Sequence, residues 1–261
     1  VPICAAKDLN MKKFLLFLLI TSATLSGCKK DKNAVNPQDT GKKLVQYEYT
    51  YSNQEPVVTK MAYSANGRIA SITSEIGTEI FDFQSLAKLV ITLRLPSDNS
   101  VARVMECTRN AQGYITHIDM RDAAGTLLTA IDYNYDQNGY MVKYKSSGFG
   151  NVNTVDLLIK DDNLLSAKEY NGSELAYTYE FTHSAISNTL PGSYFALYRV
   201  DGLFGKSFKN TTSEMKQYSA DGSLYTHIQN LFQVDAEGYI AKEIRKFPLL
   251  GKTAVLSYKM E

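Results

Sequence analysis

Tyr133-Asn134-Tyr135-Asp136-Gln137-Asn138-Gly139-Tyr140-Met141 is the stretch on which the fold turns. Tyr133 and Tyr135 alternate with the polar Asp132 and Asn134. A period of two with aromatic side chains on one face marks a half-buried strand. Asn138-Gly139 is a hairpin dipeptide, because its backbone tolerates the positive φ that a tight turn needs. Apolar character resumes at Met141, so the segment reads strand, turn, strand.

The same layout returns along the chain. Tyr63-Ser64-Ala65-Asn66-Gly67-Arg68-Ile69, Tyr218-Ser219-Ala220-Asp221-Gly222-Ser223-Leu224 and Val234-Asp235-Ala236-Glu237-Gly238-Tyr239-Ile240 share its pattern. Further strands are marked by Tyr47, Tyr49 and Tyr51, and by Tyr177, Tyr179 and Phe181. Asn171-Gly172 is another turn dipeptide, and Gly113 and Gly125 occupy similar contexts. The spacing of these glycines suits successive strands of an antiparallel up-and-down meander and is too irregular for a strict solenoid. The expected fold is all-β, a curved and barrel-like sheet forming one domain over residues 44–261. Ser187 to Lys209 breaks the alternation. With Pro191 to open a helix and Gly202 or Gly205 to end one, it predicts one or two short helices that plug an end or face of the sheet.

The N-terminal part carries a different message. Met11-Lys12-Lys13 is a positive n-region, Phe14 to Ile20 is an apolar run, and small and polar residues follow. That is the layout of a secretory signal, and the run is too short to cross a bilayer, which takes about 20 apolar residues. Residues 1–10 fit no part of such a signal and read as an over-extended start, with 11–27 the signal itself. The signal ends in Leu25-Ser26-Gly27-Cys28, which resembles the lipobox of bacterial lipoproteins. The resemblance implies cleavage between Gly27 and Cys28 and lipid on the Cys28 thiol, with two or more chains giving a stable anchor. Lys29 to Lys43 has almost no apolar residues, so 28–43 reads as the lipidated Cys and a solvated tether. As a flexible coil it spans roughly 20 Å. Cys107 is the one cysteine left within the domain, so the fold rests on its core and not on a disulfide.

Most of the mature chain also resembles a family of Bacteroidetes lipoproteins of unknown function named for a porin-like fold, and more weakly the tyrosine-aspartate repeats of bacterial shell proteins. The likeness rests on the MKK start, the lipobox Cys, the Lys/Asp tether, the Tyr-rich strands with x-Gly-Tyr-Ile turns, and Leu203-Phe204-Gly205-Lys206-Ser207-Phe208-Lys209-Asn210. It implies a barrel-like antiparallel sheet in the outer envelope and supplies no activity. It does not imply a pore, since strands such as Val101 to Arg109 mix charge into both faces, whereas a membrane barrel needs an apolar outer face along every strand. In such lipoproteins export to the surface goes with acids just after the lipidated Cys. Here Lys29-Lys30-Asp31-Lys32 holds one, and the periplasmic and surface faces both stay open.

With 261 residues, 44% hydrophobic and 21% charged, the composition excludes wholesale disorder, and a net charge of +1 gives no reason to expect a nucleic-acid partner. Chemistry-bearing motifs are few. Gly202 to Ser207 ends like a phosphate loop but has Val200 where the first Gly belongs. Asp132, Asn134 and Asp136 start like a calcium loop but lack its Gly and Glu, with Gln137 and Lys143 in those places. His117 and His227 follow repeat glycines and make a shared metal site only if their strands are neighbours, and His183 reads as part of a strand end. Cys107 reads as a small buried hydrophobe, with a nucleophile beside a His as the alternative. No cofactor, metal or catalytic residue is expected. Three roles fit: a non-catalytic binding or interaction module for a glycan, peptide or envelope partner; an envelope hydrolase with dispersed carboxylates; and a structural envelope component.

Overall fold

The computed structural model describes residues 42–52, 54–190 and 202–261. The signal, Cys28 and nearly all of the tether lie outside those residues. So does 191–201, the stretch where most of the expected helix falls. The described parts of the insert, 188–190 and 202–209, contain no helix, and among the described residues the one helical turn is a 3-10 turn at Pro248–Leu250.

Sixteen strands run through the described residues: β1 (Leu44–Tyr51), β2 (Val57–Tyr63), β3 (Ile69–Ser74), β4 (Gly77–Asp82), β5 (Lys88–Arg94), β6 (Val101–Arg109), β7 (Ile115–Asp122), β8 (Leu127–Tyr135), β9 (Met141–Gly148), β10 (Asn151–Lys160), β11 (Asn163–Asn171), β12 (Glu174–Ser187), β13 (Asn210–Ser219), β14 (Leu224–Val234), β15 (Ile240–Phe247) and β16 (Lys252–Met260). Each pairs antiparallel with the next, and β16 pairs with β1, so the sheet closes into a barrel with no free edge. Tyr47 faces Tyr258 and Tyr49 faces Leu256 across that seam, all four buried.

The repeated motif builds one kind of turn. In Asn110, Asp136 and Asp235 the side-chain Oδ1 accepts two backbone N–H groups, those of the residues two and four ahead. The glycine then closes the turn at a φ of 79–89° for Gly67, Gly113, Gly139 and Gly238, which costs a residue without Cβ little. Two residues past each turn the register slips by one, as between Ala62 and Tyr63, Thr108 and Arg109, Asn134 and Tyr135, and Gln233 and Val234. Such a bulge puts two residues opposite one. The inward positions are therefore spaced by three at the start of each such strand: Ile69 and Ile72, Ile115 and Ile118, Met141 and Tyr144, Ile240 and Glu243.

The Asp221-Gly222 turn lies at the distal end, whereas the four turns above lie at the end where the chain enters, the proximal end, where Lys43 and Glu261 exchange backbone hydrogen bonds. The insert between β12 and β13 folds across it. Leu203 O accepts from Ile115 N, Gly139 O from Lys206 N, and Asp162 O from Lys209 N. Thr189 Oγ1 accepts from Ile240 N. Phe204 meets Tyr133 edge-on at 5.3 Å and Phe208 stacks on Tyr140 at 6.0 Å. Leu190, Leu203, Phe204 and Phe208 are buried. The expected plug is thus present, as turns and extended chain where it is described. A Cβ at Gly205 would lie 2.6 Å from the Gly139 carbonyl oxygen, so the plug seats backbone against backbone.

Behind the plug the interior is mostly apolar and buried. Leu89, Ile91, Met105, Ile118, Val155, Leu164 and Ala254 point inward and have no more than 1% exposure. One ion pair is buried among them: Arg245 donates from Nε and Nη2 to Glu243 Oε1, and Tyr258 donates to Glu243 Oε2 at 2.7 Å. Both charged residues sit on the inner face of β15.

Truncating an inward residue should therefore cost far more than truncating an outward one. Phe204→Ala is expected to lose about 3–5 kcal/mol in urea unfolding, and Leu158→Ala, on the outer wall, no more than about 0.5 kcal/mol. Equal losses would mean the faces are assigned the wrong way round.

Candidate binding face

The outer wall carries the charges. Lys143 pairs with Asp156 and Lys216 with Glu214. On β7 and β8, His117 is held between Asp132 (Nδ1, 2.7 Å) and Asp119 (Nε2, 3.2 Å), and Arg121 pairs with Asp119. The hydrogen bond that His117 donates to Asp132 raises the His117 pKa against a smaller lowering by burial. Charged side chains on a lipid-facing barrel wall cost about 2–4 kcal/mol each at the bilayer midplane for Lys and Arg. This wall is built to face water and the interior is built to exclude it, the reverse of a membrane channel.

Most motifs singled out in the sequence resolve into local structure. His227 bonds Glu214 at 2.7 Å on β14 and β13, far around the barrel from His117 on β7, so the two do not share a site. The His227 contact lowers the pKa of Glu214. His183 lies within β12, where its Nε2 bonds the Leu164 carbonyl. Asp132 and Asp136 do not converge, since Asp136 caps its own turn while Asp132 bonds His117. Gly202 and Gly205 lie in the plug at positive φ, with turn and extended chain after them instead of a phosphate-binding helix. Cys107 is an inward residue with 2% exposure, its thiol pushed up to about 12 by burial, and its Sγ lies against the Met105 carbonyl. A thiol so protonated is a packing group and not a nucleophile. Among the described residues no group of His, Cys, Asp and Glu could hold a metal ion.

The distal end differs from everything below it. Its last layers hold inward residues that are polar and half-buried, namely Ser74, Glu79, Arg103, Ser146, Asn153, Glu169, Gln217, Ser219 and Thr226, beside the buried apolar Leu93 and Phe247. Glu79 pairs with Arg103 at 3.2 Å. Tyr179 donates to Glu169 Oε2 at 2.5 Å, and Gln217 Nε2 donates to the Tyr179 hydroxyl at 3.1 Å. One step nearer the rim, Tyr177 packs against Tyr225 with ring centroids 5.2 Å apart and planes at 41°. Tyr225 is 59% exposed. Burial, then the neighbouring Tyr225 and Glu169, raise the Tyr177 pKa, so its hydroxyl stays protonated near neutrality.

The distal turns are short, and apolar side chains stand on their tips. Ile76, Leu127, Phe149, Leu224, Leu249 and Leu250 are all exposed. Phe149 is the extreme case. It is 83% exposed, and with Gly150 it forms the two-residue turn between Gly148 and Asn151, at a φ of 52°. That turn favours Asn or Gly, and a bulky residue in the left-handed region is strained.

No family model matches the chain, and no curated protein matches it. Solved structures do match. A porin-like protein from Bacteroides uniformis superposes with a TM-score of 0.63 over 84% of this chain and 96% of its own, at 14% identity. A porin-like protein from Bacteroides vulgatus gives 0.58 over 84% and 98%, at 9% identity. The fold is that of the Bacteroides porin-like proteins. At these identities the likeness extends to the fold alone, so the polar mouth, the tyrosine pair and the apolar tips have to be read from this chain.

Because Phe149 occupies a position that suits Asn, Phe149→Asn is expected to raise stability by about 1 kcal/mol. For a domain of this size that is a melting-temperature increase of about 2–4 °C in calorimetry. A decrease would mean that the ring has a packing role in the free barrel.

Proposed function

We propose that this chain is a lipid-anchored protein of the cell envelope, attached to the outer membrane through Cys28, whose barrel is a non-catalytic binding or interaction module. One observation carries the reading: the chain enters the barrel at Lys43, on the plugged end, and the unplugged end with its polar mouth and exposed apolar tips lies opposite. A tether of residues 28–43 spans roughly 20 Å as a coil. The described strands run from 6 to 14 residues, and those of middle length at the usual tilt make the barrel about 25 Å tall. An anchor at Cys28 therefore holds the plug toward the membrane and presents the mouth away from it.

The apolar tips support a contact role. Exposed apolar residues scattered singly need no explanation, but several gathered on one rim mark a surface that another molecule covers. The strain accepted at Phe149 points the same way, since a residue kept in a costly conformation is a signal of function. The closed sheet limits how a partner is held. With no free edge strand, an extended peptide has no strand to pair with, so recognition falls to side chains at the mouth and on the tips.

Proteinase shaving of intact cells, with the native protein beside Cys28→Ala, tests the anchor and the orientation together. The native protein is expected in the outer-membrane fraction and Cys28→Ala in the soluble fraction. Cleavage of the native barrel on intact cells places the mouth outside, and cleavage only after the outer membrane is broken places it in the periplasm. A Cys28→Ala protein that still fractionates with membranes would overturn the anchor.

A further inference from the structure

We infer that the distal mouth between β11 and β14 is a binding site for a neutral carbohydrate, with Tyr177 and Tyr225 as the stacking platform and Glu169 and Gln217 as the groups that bind its hydroxyls. The inference rests on the binding-module reading above and names the ligand class of that module.

The site is a juxtaposition of two layers. Tyr177 and Tyr225 form an aromatic pair at the rim, one half-buried and one exposed. On the same inner face Glu169 is the cross-strand partner of Tyr177, and one step deeper Gln217 is the partner of both Tyr179 and Thr226. The lower layer is prearranged. The Tyr179 hydroxyl donates to Glu169 Oε2, and Gln217 Nε2 donates to the Tyr179 hydroxyl. Glu169 keeps a second carboxylate oxygen, Oε1, and Gln217 a carbonyl oxygen. Both are half-buried at the mouth.

Aromatic faces and polar side chains in this order match the two faces of a pyranose ring. The apolar C–H face of a sugar packs on an aromatic ring, and tyrosine adds a hydroxyl at the edge of that contact. A sugar hydroxyl donates and accepts at once. It needs the mixture present here: a carboxylate that accepts, an amide that does both, and the hydroxyls of Ser219 and Thr226 that do both. An anionic ligand fits poorly, because the inner face of this sector carries Glu169 and no described cation. The inward Arg103 and Arg245 are paired with Glu79 and Glu243. A cationic ligand would use Glu169 and the rings but would leave the amide and hydroxyl donors without acceptors, at the usual cost of an unmade hydrogen bond.

The test uses the full lipoprotein in a zwitterionic detergent, since sugar-headed detergents would compete. Maltoheptaose, laminarihexaose, cellohexaose and xylohexaose are titrated by calorimetry, with pentalysine at low salt as the cationic probe. At least one oligosaccharide is expected to bind saturably. Tyr225→Ala should weaken that binding at least tenfold, and so should Glu169→Gln. Leu158→Ala on the outer wall should leave it unchanged. Tyr225 is exposed, so its replacement leaves the fold in place, which an unchanged melting temperature verifies. The inference is overturned if no oligosaccharide in the panel binds, if binding survives both substitutions, or if pentalysine alone binds in a manner that Glu169→Gln abolishes. Each of these outcomes leaves the anchor and the orientation standing, because those are read from cell fractionation and shaving.

Discussion

Closing sixteen strands removes every sheet edge, and it creates an interior that has to be filled. A circular section of that many strands is about 30 Å across at the Cα atoms, wider than opposing side chains bridge unaided. In a membrane channel that space holds water. Here large side chains and a returning segment occupy it. Tyr47, Tyr49, Tyr133, Tyr179, Phe181 and Tyr258 point inward and are buried, and Phe204 and Phe208 enter from the plug. The abundance of tyrosine, 18 residues with no tryptophan, follows from this need, since a ring with a hydroxyl fills space and can also satisfy a carbonyl or carboxylate inside. Tyr135 bonds the Ile115 carbonyl and Tyr258 bonds Glu243 in this way. Burial raises the Tyr133 and Tyr135 pKa values well above the ordinary one, which keeps these hydroxyls neutral in the core.

The division of the barrel into an apolar proximal part and a polar distal mouth depends on the same constraint. A plug at one end satisfies the filling requirement there and frees the other end from it. Strands may then carry Glu79, Arg103, Glu169 and Gln217 inward near the distal rim without burying them fully. The entry point of the chain lies at the plugged end, opposite the polar mouth.

The fold class was legible because tyrosine alternation and Asx-x-x-Gly turns are local signals, and both behave as the residues imply. The turn chemistry at Asp136 and Asp235 is complete within five residues. What was not legible is the phase of each strand beyond its bulge. In Ile240 to Phe247, alternation from Ile240 places Ile244 inward and Glu243 and Arg245 in solvent. The bulge after Ile240 inverts that, so the acid and the arginine face the core, where they neutralise each other. Only pairing with β14 fixes the inversion, and a single strand carries no trace of it. The mouth was hidden for a related reason. Glu169, Tyr177, Gln217 and Tyr225 come from four strands, and each alone is an ordinary strand residue. The insert was read as a plug from its broken alternation, while the helices expected there do not occur in its described parts, because backbone contacts to Gly139, Ile115 and Asp162 satisfy that chain in turn and extended form. The reading of Cys28 rests on the sequence before it alone, since that residue lies outside the described part of the chain.

Hydrogen exchange at the seam between β1 and β16 tests the central claim of a closed, filled barrel most directly. In a closed barrel the amides of Tyr49 and Leu256 sit in a paired, buried ladder, and they should exchange as slowly as those of Ile91 and Met105 in β5 and β6, through global unfolding alone. Exchange within minutes along β1 and β16, with β5 and β6 still protected, would mean that the sheet is open at that seam and would contradict the account.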